Sequence, residues 1–288
     1  MTTAATSHAL DIAEPQPTSL VPLAPSHDGS IPWFSLERGD GPIVAVALHA
    51  GHAMRRDLEL RSGLSDEERR REEDAFTHVL TAIAPTRLIA HRSRFEVDLN
   101  RPLEAAVYRD PSEAWGLNVW RQPLSAEMRA GSLALHDAFY RTARALLSDL
   151  VARHGCFVVL DLHSYNHRRE GPGAPPADPQ KNPEINVGTG TLRVDRWRPL
   201  VERFTQALRE ADYRDRHLDA RENVNFLGGY FPRWVNETFR EHGCCLAIEV
   251  KKFFVDEWTG ELDPLALPAL IRALAQTVPV LHESLRSG

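Results

Sequence analysis

Three short apolar runs, far apart along the chain, constrain what this sequence can fold into more than any other feature. All but two of their residues are apolar, and they occupy residues 43–48, 156–162 and 244–250. A strand with so few polar residues is buried on both faces, which is typical of parallel sheets covered by helices. The runs therefore predict the central strands of an α/β sheet.

Amphipathic stretches between these runs predict the helices of such a fold. Apolar residues recur at three- and four-residue spacing, or fill one helical face, in residues 76–83, 125–154, 197–208 and 264–285. Residues 87–91 predict a further strand. Together these patterns predict a three-layer α/β fold, in which a mostly parallel, mixed sheet is flanked by helices on both faces.

The sequence predicts a tail followed by one domain. Residues 1–30 are rich in Ala, Thr, Ser and Pro and show no periodicity, so we expect a mobile tail. Residues 31–288 are expected to form a single α/β domain, because such domains often reach this length. Within the domain, residues 170–184 hold five prolines, which predicts a loop.

The charge balance and the cysteines exclude several kinds of protein. The 288 residues include 34 Lys and Arg against 40 Asp and Glu, a net charge of −6, which does not favour a nucleic-acid partner. No stretch of about 18 apolar residues occurs, so we expect no membrane partner. Three cysteines without Cys-x-x-Cys spacing predict neither a disulfide framework nor a thiolate zinc site. Because no signal peptide is visible, we expect a cytoplasmic protein.

Polar residues follow or interrupt the apolar runs at the strand ends, where an α/β sheet usually binds its ligands. The first run is followed by His49 and His52, the second ends at Asp161 and His163, and the third contains Glu249. Buried charged groups need partners or a metal ion. Two neutral imidazoles and one carboxylate suit zinc, since hydrolytic zinc sites keep a fourth position open for water.

Asp161 has two possible roles in this arrangement. Strand alternation places it on the same side of the sheet as His163. It then either fixes the tautomer of a histidine or caps the turn that follows the strand.

Two further polar patches suggest contacts with a ligand. Residues 93–102 contain Arg94 and Arg101, whose planar guanidinium groups match a carboxylate, so both are candidates for binding an acidic substrate. The alternative is an Arg–Asp network within the fold. Residues 223–230 contain a pair of adjacent glycines ending at Gly229, which permits either close backbone approach to a ligand or a plain turn.

Five segments, taken in order, resemble the N-formylglutamate amidohydrolases. They are Leu48-His49-Ala50-Gly51, residues 93–102, Asp161-Leu162-His163-Ser164, Asn186-Val187-Gly188-Thr189, and Gly228-Gly229 followed by Glu249. The most specific is the Ser-Arg-Phe-x-x-Asp-Leu-Asn-Arg-Pro string that begins at Ser93. The resemblance implies a zinc-dependent amide hydrolase with one zinc ion per chain, related in architecture to the zinc carboxypeptidases and aspartoacylases.

The resemblance also implies which residues bind the metal and act on the substrate. It makes Glu249 the general base, and the zinc ligands it implies are His49, Asp74 and His163. Asp74 lies in a charged stretch that is otherwise typical of a solvated helix face. Glu73 or His52 are therefore alternatives for the third ligand, because His49-x-x-His52 has the spacing that the carboxypeptidases fill with His-x-x-Glu.

Six residues are predicted to bind the substrate, and the resemblance implies two of them, the Asn100-Arg101 pair. The six residues are Arg94, Asn100, Arg101, Gly229, Tyr230 and Arg233. Tyr230 departs from the family, which often has a histidine there, and Trp115-Gly116-Leu117 look particular to a subgroup. Because of these departures, the resemblance leaves open which acyl group and amino acid the pocket accepts.

The implied activity is hydrolysis of the amide of an N-formyl acidic amino acid, such as N-formylglutamate, giving formate and the free amino acid. The nearer alternative is a deacylase acting on another N-acyl or peptide-like amide. An alternative of another class is a metal-free metabolite-binding protein on the same scaffold. A shared zinc ion requires the two histidine rings to lie within about 5 Å of each other, given Zn–N bonds near 2 Å.

Overall fold

A sheet of seven strands forms the centre of the computed structural model, which describes residues 32–192 and 194–287. The described residues form nine strands, seven of them in this sheet. In chain order they are β1 (Phe34–Glu37), β2 (Ile43–Ala47), β3 (Thr86–Ala90), β4 (Phe157–Tyr165), β5 (Ile185–Gly188), β6 (Asp212–Tyr213), β7 (Arg216–His217), β8 (Ala220–Glu222) and β9 (Gly243–Lys251). Across the sheet their order is β1-β3-β2-β4-β9-β5-β8, while β6 and β7 pair separately.

The directions of these strands confirm the predicted mostly parallel, mixed sheet. β2 pairs in parallel with both β3 and β4, and β4 pairs in parallel with β9. β1 runs antiparallel to β3, and β5 runs antiparallel to β9 but parallel to β8. The central strands β2, β4 and β9 are those that the three apolar runs predict.

Helices cover both faces of this sheet. They are α1 (Arg56–Glu59), α2 (Asp66–Glu72), α3 (Thr77–Leu80), α4 (Ala126–His154), α5 (Val194–Glu210), α6 (Tyr230–Thr238), α7 (Ala266–Ala275) and α8 (Val278–Ser287). Short 3-10 helices occupy Thr81–Ile83, Leu103–Ala105 and Pro111–Ala114. None of the helices in the described part of the chain is both long enough and apolar enough to cross a membrane.

Two apolar cores on opposite faces of the sheet make the three layers. One core packs the sheet against α5, α7 and α8, and the other packs it against α4 and α6. The adjacent Cys244 and Cys245 of β9 lie in opposite cores, because successive side chains of a strand point to opposite faces. Both are buried free thiols.

A third, smaller core supports the loops beside the sheet. Its buried members are Met54, Leu58, Leu64, Phe95, Tyr108, Ala114 and Val119. Several of these side chains come from residues 93–120, a stretch that contains only short 3-10 helices. The small core therefore gives this largely irregular segment a fixed position.

The long helix α4 begins and ends as the sequence predicts. The Ser125 hydroxyl accepts a hydrogen bond from the backbone N–H of Met128, which caps the first turn. Gly155 ends the helix with a φ of 78°, a conformation that favours glycine. These two residues fix the length of the helix.

Three predicted elements differ in their bounds. β4 runs to Tyr165, so His163 lies inside the strand together with Asp161 instead of after it. The helix predicted over residues 76–83 is short, because Phe76 has a φ of 66° and the chain passes from α3 into a 3-10 helix. The helix predicted within residues 264–285 divides into α7 and α8, since Pro279 fits only the first turn of a helix. The predicted tail, residues 1–30, lies outside the described residues.

Candidate active site

The pairing of β4 with β9 places Glu249 beside His163. The two residues are partners in the register of these parallel strands, so their side chains extend from the same face of the sheet. Asp161 lies two residues earlier on β4 and shares that face. One strand pair therefore brings together an imidazole and two carboxylates.

Asp74 reaches the same place from a different part of the chain. Its backbone N–H donates a hydrogen bond of 2.9 Å to the carbonyl oxygen of His49, just beyond the end of β2. The hydroxyl of Thr77 donates to the carbonyl oxygen of Asp74 at 2.7 Å, and Phe76 turns the chain with its positive φ. These backbone contacts hold the Asp74 carboxylate against the two histidines.

His49, Asp74 and His163 form one compact buried group. The two imidazole centroids are 4.9 Å apart. Oδ2 of Asp74 lies 2.8 Å from Nδ1 of His163 and 3.5 Å from Nδ1 of His49. One potential ligand atom from each residue lies within 4.8 Å of the others. The ring separation satisfies the limit of about 5 Å that a shared zinc ion requires.

The other ring nitrogen of each histidine faces a second buried carboxylate. Nε2 of His49 lies 2.8 Å from Oδ1 of Asp98, and Nε2 of His163 lies 3.0 Å from Oδ2 of Asp161. With a metal ion bound, a proton on each Nε2 would leave the lone pair of each Nδ1 free to bind that ion beside Asp74. Histidines that bind metal ions usually have such a carboxylate behind them. The Asp161 oxygens form no hydrogen bond of good geometry with any described residue. Their contact with His163 is therefore an ion pair.

The two alternative third ligands, Glu73 and His52, lie outside this group and bind each other. Nδ1 of His52 is 2.7 Å from Oε2 of Glu73, and the Ser93 hydroxyl donates to Oε1 of Glu73 at 2.5 Å. Arg69 contacts the other ring nitrogen of His52 at 3.1 Å. Of the three candidates for the third ligand, Asp74 is the one that the structure brings beside His49 and His163.

The electrostatics of the site separate its carboxylates into two kinds. Burial opposes ionisation of Asp74, but hydrogen bonds with His163 and His49 outweigh it and lower the pKa of this carboxyl group. Glu249 behaves differently. Desolvation, together with the charges of Asp74 and Asp161, raises its pKa to about 7 against the opposing effect of His163. Asp74 therefore stays ionised, while Glu249 exchanges a proton near neutral pH.

Asp98 connects the histidine group to the predicted substrate-binding arginines. Its Oδ2 accepts hydrogen bonds from Arg94 Nη2 at 3.0 Å and from the Tyr108 hydroxyl at 2.5 Å, and lies 3.4 Å from Arg101 Nε. Burial opposes ionisation of Asp98, but Arg94 and His49 hold its pKa well below its usual range. These contacts form the Arg–Asp network that was predicted as the alternative to substrate binding. The sequence does not predict that Asp98, one of two acids in this string, also faces His49.

Asn100 has a structural contact that its predicted substrate role did not anticipate. Its Oδ1 accepts the backbone N–H of Phe231 at 2.9 Å, and its carbonyl oxygen accepts that of Tyr230 at 3.1 Å. Its Nδ2 lies 3.4 Å from Nε2 of His163. Asn100 therefore ties the first turn of α6 to the loop that carries Asp98.

The remaining predicted substrate residues lie at the start of α6. Gly229 leaves room for Asn100, since a Cβ atom at this position would lie 2.4 Å from the Asn100 amide. The Tyr230 ring packs against Tyr140, with centroids 5.6 Å apart. Arg233 is exposed, and its guanidinium forms no hydrogen bond or ion pair with the residues that the structure describes.

Replacing Gly229 tests this close approach. Gly229→Ala should lower the free energy of unfolding by about 1–3 kcal/mol, because the new methyl group displaces the hydrogen-bonded Asn100 amide. Urea denaturation measures the loss. Gly173→Ala is the matched control, since a Cβ atom there meets nothing within 4 Å. Equal stability of the two variants would contradict the assigned packing.

Comparison with solved structures finds the same fold in two other bacterial proteins. An N-formylglutamate amidohydrolase from Ralstonia eutropha JMP134 superposes with a TM-score of 0.70 at 18% sequence identity, over 88% of this chain and 98% of that chain. A gene product of Agrobacterium tumefaciens superposes with a TM-score of 0.56 at 18% identity, over 88% of this chain and 94% of that chain. A putative carboxypeptidase from Burkholderia mallei is more remote, with a TM-score of 0.36 at 13% identity.

Sequence comparison identifies the family. Comparison with curated proteins finds no significant match. A sequence profile of the N-formylglutamate amidohydrolases, however, matches residues 41–254. This range is most of the chain and contains every residue of the histidine–carboxylate group described above. The resemblance found in the five sequence segments is confirmed, and the chain belongs to the N-formylglutamate amidohydrolase family.

Proposed function

We propose that this protein hydrolyses the amide of an N-formyl acidic amino acid, such as N-formylglutamate, with the help of one zinc ion per chain. The products are formate and the free amino acid. The observation that carries the proposal is the convergence of His49, Asp74 and His163 beside Glu249. Such a group combines a site for a cation with a proton acceptor, the two components that metal-assisted amide hydrolysis uses.

The donor set fits a zinc ion. Two imidazole nitrogens and one carboxylate oxygen are common ligands in catalytic zinc sites, which keep a further position for water or substrate. Asp98 would orient His49 through its hydrogen bond at Nε2, and the charge of Asp161 lies 3.0 Å from Nε2 of His163. When bound, zinc supplies Lewis-acid activation of water and of the amide carbonyl.

Glu249 is the proposed general base and general acid. A pKa of about 7 lets it accept a proton from water and release that proton at neutral pH. Its carboxylate makes no hydrogen bond or ion pair with another described residue, so both oxygens are available to water or substrate. In this role it takes the proton of the attacking water and delivers it to the leaving nitrogen of the amide.

Arg101 is the proposed anchor for a carboxylate of the substrate. Arg94 and Arg101 share the single carboxylate of Asp98, so these three groups carry a net charge of +1. The side chain of Arg101 is 28% exposed, and its Nη1 donates to none of the described residues. A partly exposed guanidinium group with a free N–H donor can bind a carboxylate. Binding there would orient the amide of an acidic substrate. Arg94 and Arg233 supply further positive charge.

Glu249→Gln tests the proposed chemistry. The wild-type enzyme, loaded with zinc, should release formate from N-formylglutamate faster than acetate from N-acetylglutamate. The substitution should retain zinc but lower kcat about 10²–10⁴-fold, the effect of losing a general acid–base group. Formate release and metal content measure the two effects separately.

Glu237→Gln is the control for this experiment, since Glu237 is exposed on α6. It should keep wild-type activity. Near-normal turnover by Glu249→Gln would contradict the role of Glu249. Faster release of acetate than formate by the wild type would instead change the substrate to another N-acyl amino acid.

His163→Ala tests the metal site. Because His163 supplies one of three proposed ligands, the variant should lose the zinc ion that the wild type retains during purification without chelators. Elemental analysis measures the zinc content per chain. His154→Ala, at an exposed histidine, controls for surface binding and should keep its zinc. Retention of one zinc ion per chain by His163→Ala would remove this residue from the ligands.

A further inference from the structure

Trp115 occupies an unfavourable conformation next to the candidate site. It follows the 3-10 helix Pro111–Ala114 with φ 54° and ψ 26°, a left-handed conformation that bulky residues rarely adopt. The residue is 50% exposed. Single exposed aromatic residues are common and do not by themselves indicate a binding site. Here, however, the chain adopts a strained backbone without burying the ring, and such strain is concentrated at functional sites.

The indole ring of Trp115 lies on the guanidinium group of Arg94. Cζ of Arg94 is 4.8 Å from the ring centroid, a separation typical of a cation–π contact. Arg94 donates to Asp98, whose other oxygen faces the His49 ring. Two side chains therefore separate the indole from the imidazole that is proposed to bind zinc.

The turn that carries Trp115 is fixed to the second arginine. Nη2 of Arg101 donates to the carbonyl oxygen of Glu113 at 2.5 Å, and the Glu113 carboxylate accepts the backbone N–H of Arg109 at 2.7 Å. Ala114 packs into the third core on the inner side of the turn. Arg94 and Arg101 thus both contact one rigid turn, and Trp115 is its exposed apolar residue.

We propose that Trp115 is a substrate-binding residue of this site. One face of its indole ring packs on Arg94, and the free part of the ring covers the methylene groups of the acidic amino acid whose carboxylate the arginines hold. The inference rests on the proposed function, because that function supplies an anionic ligand with an aliphatic chain. An apolar ring beside guanidinium groups matches both parts of such a ligand, since it removes the methylene groups from water.

Steady-state kinetics test the contact. Trp115→Ala should raise KM for N-formylglutamate about tenfold, the discrimination expected for one lost methylene-sized contact. Its kcat should not change, because the contact is made equally with substrate and transition state. Trp115→Phe, which keeps an aromatic ring, should recover most of the affinity. A wild-type KM in Trp115→Ala would overturn the inference.

Tryptophan fluorescence tests whether the ring itself touches the ligand. In zinc-loaded Glu249→Gln protein, N-formylglutamate should bind with little turnover and change the intrinsic emission as the half-exposed ring is covered. Adding Trp115→Phe should abolish the change, whereas adding Trp258→Phe should preserve it. Trp258 is a matched control, because it also stacks on an arginine, Arg71, at 4.2 Å. A change that persists in the Trp115→Phe protein would contradict direct contact.

The wild-type enzyme distinguishes this inference from the function on which it rests. If zinc-loaded wild-type protein does not hydrolyse N-formylglutamate, both proposals are wrong. If it does, and Trp115→Ala matches it in KM, the proposed function remains and the role of Trp115 is wrong.

Discussion

Contacts between buried carboxylates and the imidazole rings of His49 and His163 are the interaction on which the rest of the site depends. Charged groups removed from water are costly unless they are paired. Asp98 and Asp161 each face one ring, and Asp74 faces both. Burial opposes a charge on His163, yet the surrounding carboxylates raise its pKa well above the usual range. The negative potential of these carboxylates, which favours a proton on His163, also favours a divalent cation between the two rings.

The sheet and one helix make this concentration of charge possible. β4 and β9 are apolar over their first halves and carry their charged residues toward their C-terminal ends, so the polar groups gather at one edge. Helix α4 supports the loop that carries Asp98. His136 donates to the carbonyl oxygen of Arg101 at 2.9 Å, and the Tyr140 hydroxyl donates to that of Leu99 at 2.7 Å. The charged residues are thus held by rigid elements. Because they are already in position, they need little reorganisation during a reaction.

The sequence predicts best what a single strand or helix decides locally. The apolar runs predict β2, β4 and β9, and strand alternation predicts that Asp161 and His163 share a face. Asp74 could be predicted as a metal ligand only from the family resemblance. Its charged neighbours resemble a solvated helix face, and its position depends on a backbone contact with His49. The contact of Asp98 with His49, and the hydrogen bond from Phe231 to Asn100, could not be predicted, since both join segments that only the folded chain brings together.

The location of the metal ion tests the central claim most directly. Crystals of protein purified without chelators would be measured on both sides of the zinc absorption edge, and an anomalous difference map would locate the ion. We predict one peak about 2 Å from Nδ1 of His49, Nδ1 of His163 and an oxygen of Asp74. A peak between His52 and Glu73 instead, or a peak that leaves either His49 or His163 beyond coordination distance, would contradict the proposed site.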